Sequence, residues 1–279
     1  MSEEQNEMSF LNHLEVLRWT LIRSSLAIFV FGMVAFTMKD FIFNTILLAP
    51  KSPDFITYRF LCAVSKSLGT DGLCIDNIPF IVQSRTMAGQ FSAHIWTSLA
   101  FGFILAFPYI IYEVWKFLKP ALYENEKKNA RSFIIVTSFL FFIGILFGYY
   151  VITPLSVNFL GSYQVADEVK NNFDLSSYTG LLKASCLSSG FIFEMPIIIY
   201  FLTKLGLVTP EFLKKYRKYA LVLVLILAAI ITPPDIISQV IVAIPMIILY
   251  ETSIKISQII VRKEAKKKAK EDAKGKKST

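Results

Sequence analysis

The sequence contains few of the residues on which soluble enzymes and secreted scaffolds depend. Only 18% of its 279 residues are charged, and it has two histidines and three cysteines. So little charge excludes an ordinary soluble domain of this length, and three cysteines are too few for a disulfide scaffold. No glycine-rich loop ending in Lys-Ser or Lys-Thr is present, which excludes nucleotide hydrolysis by that route. We therefore predict neither catalytic activity nor a bound metal or cofactor.

Apolar residues dominate instead, at 54% of the chain with 25 phenylalanines. Six charge-poor apolar stretches predict six membrane-spanning helices, at 24–38, 86–112, 132–166, 184–203, 219–234 and 236–250. The last two hold 16 and 15 residues, which reach only about 24 Å at 1.5 Å per residue. The predicted fold is an all-α polytopic membrane protein whose last two helices are short and thin the bilayer locally.

The lysines and arginines concentrate in the loops on one side of the predicted spans. This distribution predicts the orientation of the chain in the membrane and argues against nucleic acid as a partner. Of the 29 basic residues, 22 fall on the side that holds both termini, so both termini are expected in the cytoplasm. Residues 1–22 are predicted as a cytoplasmic amphipathic helix and 23–253 as the six-helix domain with a long outer loop at about 40–93. Residues 254–279 form a basic cytoplasmic tail near anionic lipid.

Two of the cysteines, Cys62 and Cys74, lie in the predicted outer loop. A disulfide closing that short loop in an oxidising compartment would contribute about 2–3 kcal/mol. The alternative, two small buried thiols, remains open from the sequence alone.

One carboxylate, Glu194, interrupts the apolar run 184–203. A charged side chain at that depth costs about 2.5–3.5 kcal/mol on insertion scales. It is therefore expected to face a wet cavity or to be protonated. Pro196 removes a backbone donor nearby and should bend the helix.

The turn between the last two spans contains Pro233, Pro234 and Asp235. Asp235 is predicted to cap the helix that follows, where a negative group meets the helix dipole. Gln239, an amide just inside the bilayer, is expected to hydrogen-bond another helix.

These pieces, in this order, resemble the TatC family, the multispanning subunit of the twin-arginine protein translocase. The resemblance rests on four strings: His13-Leu14…Leu17-Arg18; Pro108…Trp115…Phe117…Pro120-Ala121-Leu122-Tyr123…Glu126; Phe193-Glu194-Met195-Pro196; and Thr232-Pro233-Pro234-Asp235…Ser238-Gln239…Ala243-Ile244-Pro245. It implies six spans in a concave, cupped arrangement in the bacterial inner membrane. It also implies a receptor that binds twin-arginine signal peptides and nucleates export of folded proteins driven by the proton gradient. Its implied partners are single-span TatA and TatB type subunits, and it is expected to self-associate in a multimeric complex.

The resemblance implies that Glu126 binds the arginine pair of the signal peptide and that Phe117 is its neighbour in the binding patch. Two guanidinium groups call for two carboxylates, and lysine cannot copy their bidentate geometry. We predict Glu15 or Glu113 as the second acid. Glu15 lies one residue before Val16, where the family commonly has glutamate, which turns it about 100° around a helix. Glu113 stands where glutamine is common.

The same resemblance makes Glu194 the intramembrane acid of the cupped interior, and Thr232 and Gln239 contacts for the TatA and TatB helices. Two other classes compete with a receptor. A secondary transporter of a small solute also has bent spans and a buried acid, but it predicts an inverted repeat that we do not find. A membrane insertase predicts a positively charged groove, whereas this interior holds a lone acid.

Overall fold

The structure is a computed structural model of the chain, and it describes residues 10–67, 69, 74, 75, 78, 80–118, 130–166, 168–233 and 235–275. These residues are mostly helical. The α-helices are α1 (Phe10–Thr37), α2 (Ile56–Ser67), α3 (Gly89–Leu118), α4 (Ala130–Phe147), α5 (Thr153–Ser162), α6 (Leu175–Phe193), α7 (Met195–Lys204), α8 (Pro210–Lys215), α9 (Arg217–Ile231) and α10 (Ile236–Gly275). Phe41–Leu47 and Gly148–Ile152 are π-helical and Ala49–Lys51 is a 3-10 turn, while strands β1 (Ile81–Gln83) and β2 (Asn172–Asp174) form a two-stranded sheet.

Five helical stretches among the described residues are long and apolar enough to cross a membrane. They are Leu14–Thr37, Gly89–Phe117, Arg131–Ser162, Leu175–Lys204 and Ser238–Lys266. The remaining predicted span, the fifth in chain order, is α9, whose 15 residues reach only about 22 Å. The all-α membrane architecture with a short fifth span is therefore confirmed.

The prediction that the last helix is short was wrong. Helix α10 continues from its apolar part through the basic tail to Gly275. Residues 246–274 contain no proline or glycine, and the alanine, lysine and glutamate of the tail are strong helix formers. Only the apolar part, up to about Tyr250, is short.

Helix α1 is continuous across residue 22, where the sequence predicted the surface helix to end and the first span to begin. Residues 11–31 contain no glycine or proline to interrupt it. Leu26, Phe29 and Met33 recur at helical spacing and each is more than half exposed. A helix that turns large apolar side chains outward at this spacing is typical of a lipid-facing segment.

The chain divides into two compact units, the first of which is built around α1 and α3. Contacts between these helices pair early residues of one with late residues of the other, so they run in opposite directions. At their closest approach, a Cβ on Gly102 would lie 2.5 Å from the carbonyl oxygen of Ile28 and 2.6 Å from the backbone nitrogen of Gly32. Glycine at position 102 thus lets the two backbones touch. Further along, His94 Nε2 lies 3.0 Å from the Phe36 carbonyl oxygen.

The second unit contains α9 and α10, which bury a cluster of apolar side chains. The cluster comprises Ile152, Val224, Ala228, Val242, Ala243 and Met246. Helix α7 ends at Lys204, and Gly206 follows its C-cap with a φ of +71°, which suits glycine. Helix α8 then starts behind Thr209, whose hydroxyl accepts a hydrogen bond from the Phe212 backbone nitrogen at 3.2 Å.

The segment 50–81 also belongs to the second unit and is held by one buried tyrosine. The Tyr58 hydroxyl is 2.9 Å from the carbonyl oxygens of both Pro50 and Pro154, and burial raises the pKa of Tyr58. Cys62 and Cys74 form a disulfide. Of the two alternatives for these cysteines, the structure therefore has the disulfide and not two buried thiols.

Candidate functional site

A cavity of about 410 Å³ opens between α1 and α3, near the first turns of α1 and the last turns of α3. Its lining residues are Glu15, Val16, Trp19, Thr20, Arg23, Glu113 and Lys116. Two of these side chains are acidic and two are basic, so their formal charges cancel. This cavity is the part of the first unit where charged side chains of the two helices meet.

Helical spacing explains why these side chains share one wall. Glu15, Trp19 and Arg23 follow one another at four-residue intervals on α1, which places them on one face. Glu113 and Lys116 are three residues apart on α3 and share a face in the same way. Val16 lines the cavity beside Glu15. The one-residue displacement of the acid, expected to turn it about 100°, therefore leaves it on the cavity wall.

Glu113 is a buried carboxylate with two partners. Its side chain is 4% exposed, whereas that of Arg23 is 45% exposed. Arg23 Nη1 lies 3.5 Å from Glu113 Oε2, and the Tyr109 hydroxyl donates to Oε1 at 3.2 Å. A buried charge is tolerated only when it is paired and hydrogen-bonded, and this arrangement meets both needs. The arrangement accommodates one guanidinium against one carboxylate.

The other predicted signal-peptide residues divide between this region and undescribed parts of the chain. Glu15 is exposed on α1, and Phe117 is half-buried next to Lys116, near the end of α3. Glu126 lies outside the described residues. The structure therefore brings Glu15 and Glu113 to one cavity, while the role of Glu126 stays a prediction.

Arg23 and Tyr109, the two partners of Glu113, were missed by sequence reasoning, as were Trp19 and Thr20 of the cavity wall. The eight-residue spacing from Glu15 to Arg23 and the four-residue spacing from Tyr109 to Glu113 were usable signals, because each places both residues on one helix face. Arg23 and Glu113 are 90 residues apart in sequence, however, and their pairing depends on how α1 and α3 are aligned. No pattern within either helix reports that alignment.

Glu194 lies at the junction between α6 and α7 and is 7% exposed. Pro196, the second residue of α7, has no backbone N–H for the helical ladder, so the helix is interrupted there, as expected. Phe193 just before the acid packs on Phe147 with ring centroids 5.5 Å apart. The acid thus lies inside a candidate span, next in sequence to a packed phenylalanine.

The polar side chains in and after the turn before α10 form hydrogen bonds to other groups of the chain. Asp235 Oδ2 accepts from the Ser238 backbone nitrogen at 2.9 Å, which confirms the predicted cap. Gln239 Nε2 donates to the Leu225 carbonyl oxygen of α9 at 3.0 Å, so it bonds another helix, as expected. Thr232 is buried and donates to Ala228 of its own helix at 2.8 Å. Pro233 is also buried, and Pro234 lies outside the described residues.

Metal chemistry gains no support from the described part of the chain, where no group of three or more His, Cys, Asp or Glu side chains could hold an ion. What the cavity offers is recognition by charge. Two carboxylates facing one cavity can bind planar cations through charge-assisted hydrogen bonds.

Comparison with known proteins gives one consistent family. The model for TatC, described as Sec-independent protein translocase protein, matches residues 12–245. A relative from Blattabacterium sp. subsp. Periplaneta americana, named Sec-independent protein translocase protein TatC, is 43% identical over 266 residues, covering 95% of this chain and all of that protein. TatCy of Bacillus subtilis is 35% identical over 264 residues, covering 95% of this chain and 94% of its own length. A crystal structure of the "Twin Arginine Translocase Receptor- TatC" matches with a TM-score of 0.66 and 31% identity, over 88% of this chain and 98% of that one.

Proposed function

Because the chain belongs to the TatC family of Sec-independent protein translocase proteins, we propose that it is the receptor and core subunit of a twin-arginine translocase. In this role it binds twin-arginine signal peptides and nucleates export of folded proteins, driven by the proton gradient. The solved relative is called a twin arginine translocase receptor, and its similarity supports the proposal. Relatives are named as protein translocase proteins, and those names indicate no catalytic activity.

The observation that carries the proposal is the pair of acids, Glu15 and Glu113, on one cavity wall. Glu113 already accepts a guanidinium, that of Arg23. An arginine side chain therefore fits this carboxylate sterically and electrostatically. Glu126, at the position the family uses for the arginine pair, would supply a further acid, and Phe117 an apolar contact.

The cavity must face the compartment in which signal peptides are made. The surplus of lysine and arginine on the side of both termini supports a cytoplasmic location for that end of α1 and α3. The chain is an integral membrane protein, and we propose the bacterial cytoplasmic membrane as its location. The basic tail that extends α10 would lie near anionic lipid on the same side.

The test is binding of a fluorescent twin-arginine leader peptide to the purified chain, with a twin-lysine leader in parallel. Each charge-assisted hydrogen bond is worth about 1.5–3 kcal/mol, so Glu113→Gln and Glu15→Gln should each weaken binding about tenfold or more. Glu211→Gln is the matched control, since Glu211 is an exposed acid on α8 outside the cavity. Equal affinity for the two leaders would refute the proposal.

Glu126 is tested separately by cross-linking the leader to the chain. Glu126→Ala should reduce cross-linking, while Glu124→Ala, two residues away, should not. The sequence predicts a short helix here, in which Glu124 would have Lys128 four residues on as a partner, whereas Glu126 would have Ala130 there. Undiminished cross-linking in both variants would remove Glu126 from the site.

Glu194 is proposed as the polar group that serves transport inside the membrane. It can polarise its surroundings, hold water or exchange a proton, and a proton-driven device needs such a group. Export of a folded reporter by Glu194→Gln distinguishes these roles, because glutamine keeps the polarity but cannot carry a proton. Unchanged export would exclude an obligatory proton carrier.

We also propose that the α9–α10 end receives the single-span TatA and TatB type subunits within a multimeric, self-associating complex. Family membership implies a translocase complex with other Tat subunits. Thr232 and Gln239 mark the proposed contact, with the turn of Pro233, Pro234 and Asp235 beside it. Co-purification of a single-span partner with the chain, reduced by Gln239→Leu, would support this assignment. Uptake of a radiolabelled small solute by the purified chain would instead favour a secondary transporter.

A further inference from the structure

We propose that Arg23 is an internal substitute for a signal-peptide arginine. It occupies Glu113 in the free protein and leaves when the peptide binds. This inference rests on the proposed function and adds a step to it, in which one guanidinium replaces another on the same carboxylate. The sequence had suggested acids waiting for an outside cation, whereas Glu113 is occupied already.

The geometry gives the peptide a route to Glu113. The carboxylate is buried at 4% exposure, but the Arg23 side chain that reaches it is 45% exposed. Both residues line the cavity. Arg23 therefore approaches Glu113 along the cavity, and a guanidinium that enters the cavity can take the same path.

The contact is also of the kind that exchanges readily. Its 3.5 Å separation is long beside the 2.7–2.9 Å typical of charge-assisted pairs, and a half-exposed arginine gains little from such a pair. Tyr109 keeps its hydrogen bond to the other carboxylate oxygen. During the exchange Glu113 therefore keeps one hydrogen bond while it has no cation beside it, which reduces the cost of the released state.

Charge balance points the same way. Glu15 and Glu113 are balanced by Arg23 and Lys116 across the cavity, so its formal charge in the free protein is zero. An incoming arginine pair meets a net acidic site only when an internal cation withdraws. Arg23, the cation in contact with Glu113, is the one whose departure frees a carboxylate.

The consequence is that Arg23 lowers the apparent affinity for the leader, because only the fraction of molecules with a released Glu113 can bind. Since half-exposed pairs are weak, Arg23→Gln should tighten binding of a fluorescent twin-arginine leader by about two- to fivefold. Arg23→Lys, which keeps the charge but not the planar fork, should give a smaller gain. Binding is measured on the full chain in detergent.

Lys116→Gln is the matched control, since it removes one positive charge from the same cavity wall. It should tighten binding less than Arg23→Gln, and that difference isolates the contact with Glu113. Equal gains in the two variants would reduce the effect to net charge and overturn the inference. Unchanged or weaker binding in Arg23→Gln would also overturn the inference. If that variant does not fold, unchanged binding in Arg23→Lys would overturn it.

The twin-lysine leader separates this inference from the proposed function. If the unaltered chain prefers twin arginine but Arg23→Gln binds no more tightly, the exchange step is wrong and the receptor role stands. If the unaltered chain binds both leaders equally, the receptor role itself fails.

Discussion

The contact between α1 and α3 at Gly102 yields the sharpest prediction about how the site is held. A methyl group there would lie 2.5 Å from Ile28 O, 2.6 Å from Gly32 N and 2.7 Å from Gly32 Cα. All three are backbone atoms, so no side-chain rotation can relieve the clash. In Gly102→Ala the two helices must move apart, and every contact along them weakens.

The magnitude follows from two opposing effects. Overpacking of this kind costs about 1–3 kcal/mol, while alanine in place of glycine favours a helix by about 1 kcal/mol. Gly180→Ala shows the second effect alone, because Gly180 lies within α6 and a methyl group there would meet no atom within 4 Å. The difference between the two variants then isolates the overpacking. The unfolding free energies of the two variants should therefore differ by about 1–3 kcal/mol.

Thermal unfolding of the purified chain in one detergent measures the difference. At about 2–4 °C per kcal/mol for a domain of this size, Gly102→Ala should melt about 2–12 °C below Gly180→Ala. Leader binding should change as well, because the Arg23–Glu113 contact lies on the same seam and is already 3.5 Å long. Indistinguishable melting temperatures for the two variants would show that the helices are not in backbone contact at Gly102.

Three further predictions concern other parts of the chain. Tyr58→Phe should lower the unfolding free energy by about 1–3 kcal/mol, and an unchanged melting curve would contradict this. Because burial raises the pKa of Tyr58, the protonated hydroxyl should stabilise the fold fully below its ordinary pKa of about 10 and lose this stabilising effect as the pH rises further. Replacing Cys62 and Cys74 together by serine should cost about 2–3 kcal/mol, with dithiothreitol lowering the melting temperature of the unaltered chain but not of the variant. Gln239→Leu removes the bond to Leu225 O and should lower the unfolding free energy by about 0.6 kcal/mol; an unchanged unfolding free energy would contradict this.

The membrane-spanning architecture could be predicted because lipid imposes it on every span. Charge has to leave the hydrocarbon core, so uncharged runs mark the helices. Local chemistry predicted the Asp235 cap and the interruption at Pro196 equally well, since each depends on a few neighbouring residues. The length of α10 was missed because the hydrophobic signal ends near Tyr250, whereas the helix-forming residues continue.

The candidate site was only half predictable, because it is shared between two helices. Glu15 and Glu113 could be named from their positions, but their common cavity depends on the register that Gly102 permits between α1 and α3. Arg23 was read as a boundary of the first span, and its pairing with Glu113 could not be seen from either helix alone.

The charged residues of this cavity make physical sense only when they are taken together. Glu15 lies on the cavity wall beside Val16. Glu113 adds a second negative charge that burial would make costly. Arg23 offsets that cost from the facing helix without being buried itself. A carboxylate that is neutralised by a half-exposed cation is stable in the free protein and still accessible to a competing guanidinium, so stability and recognition need not conflict at Glu113.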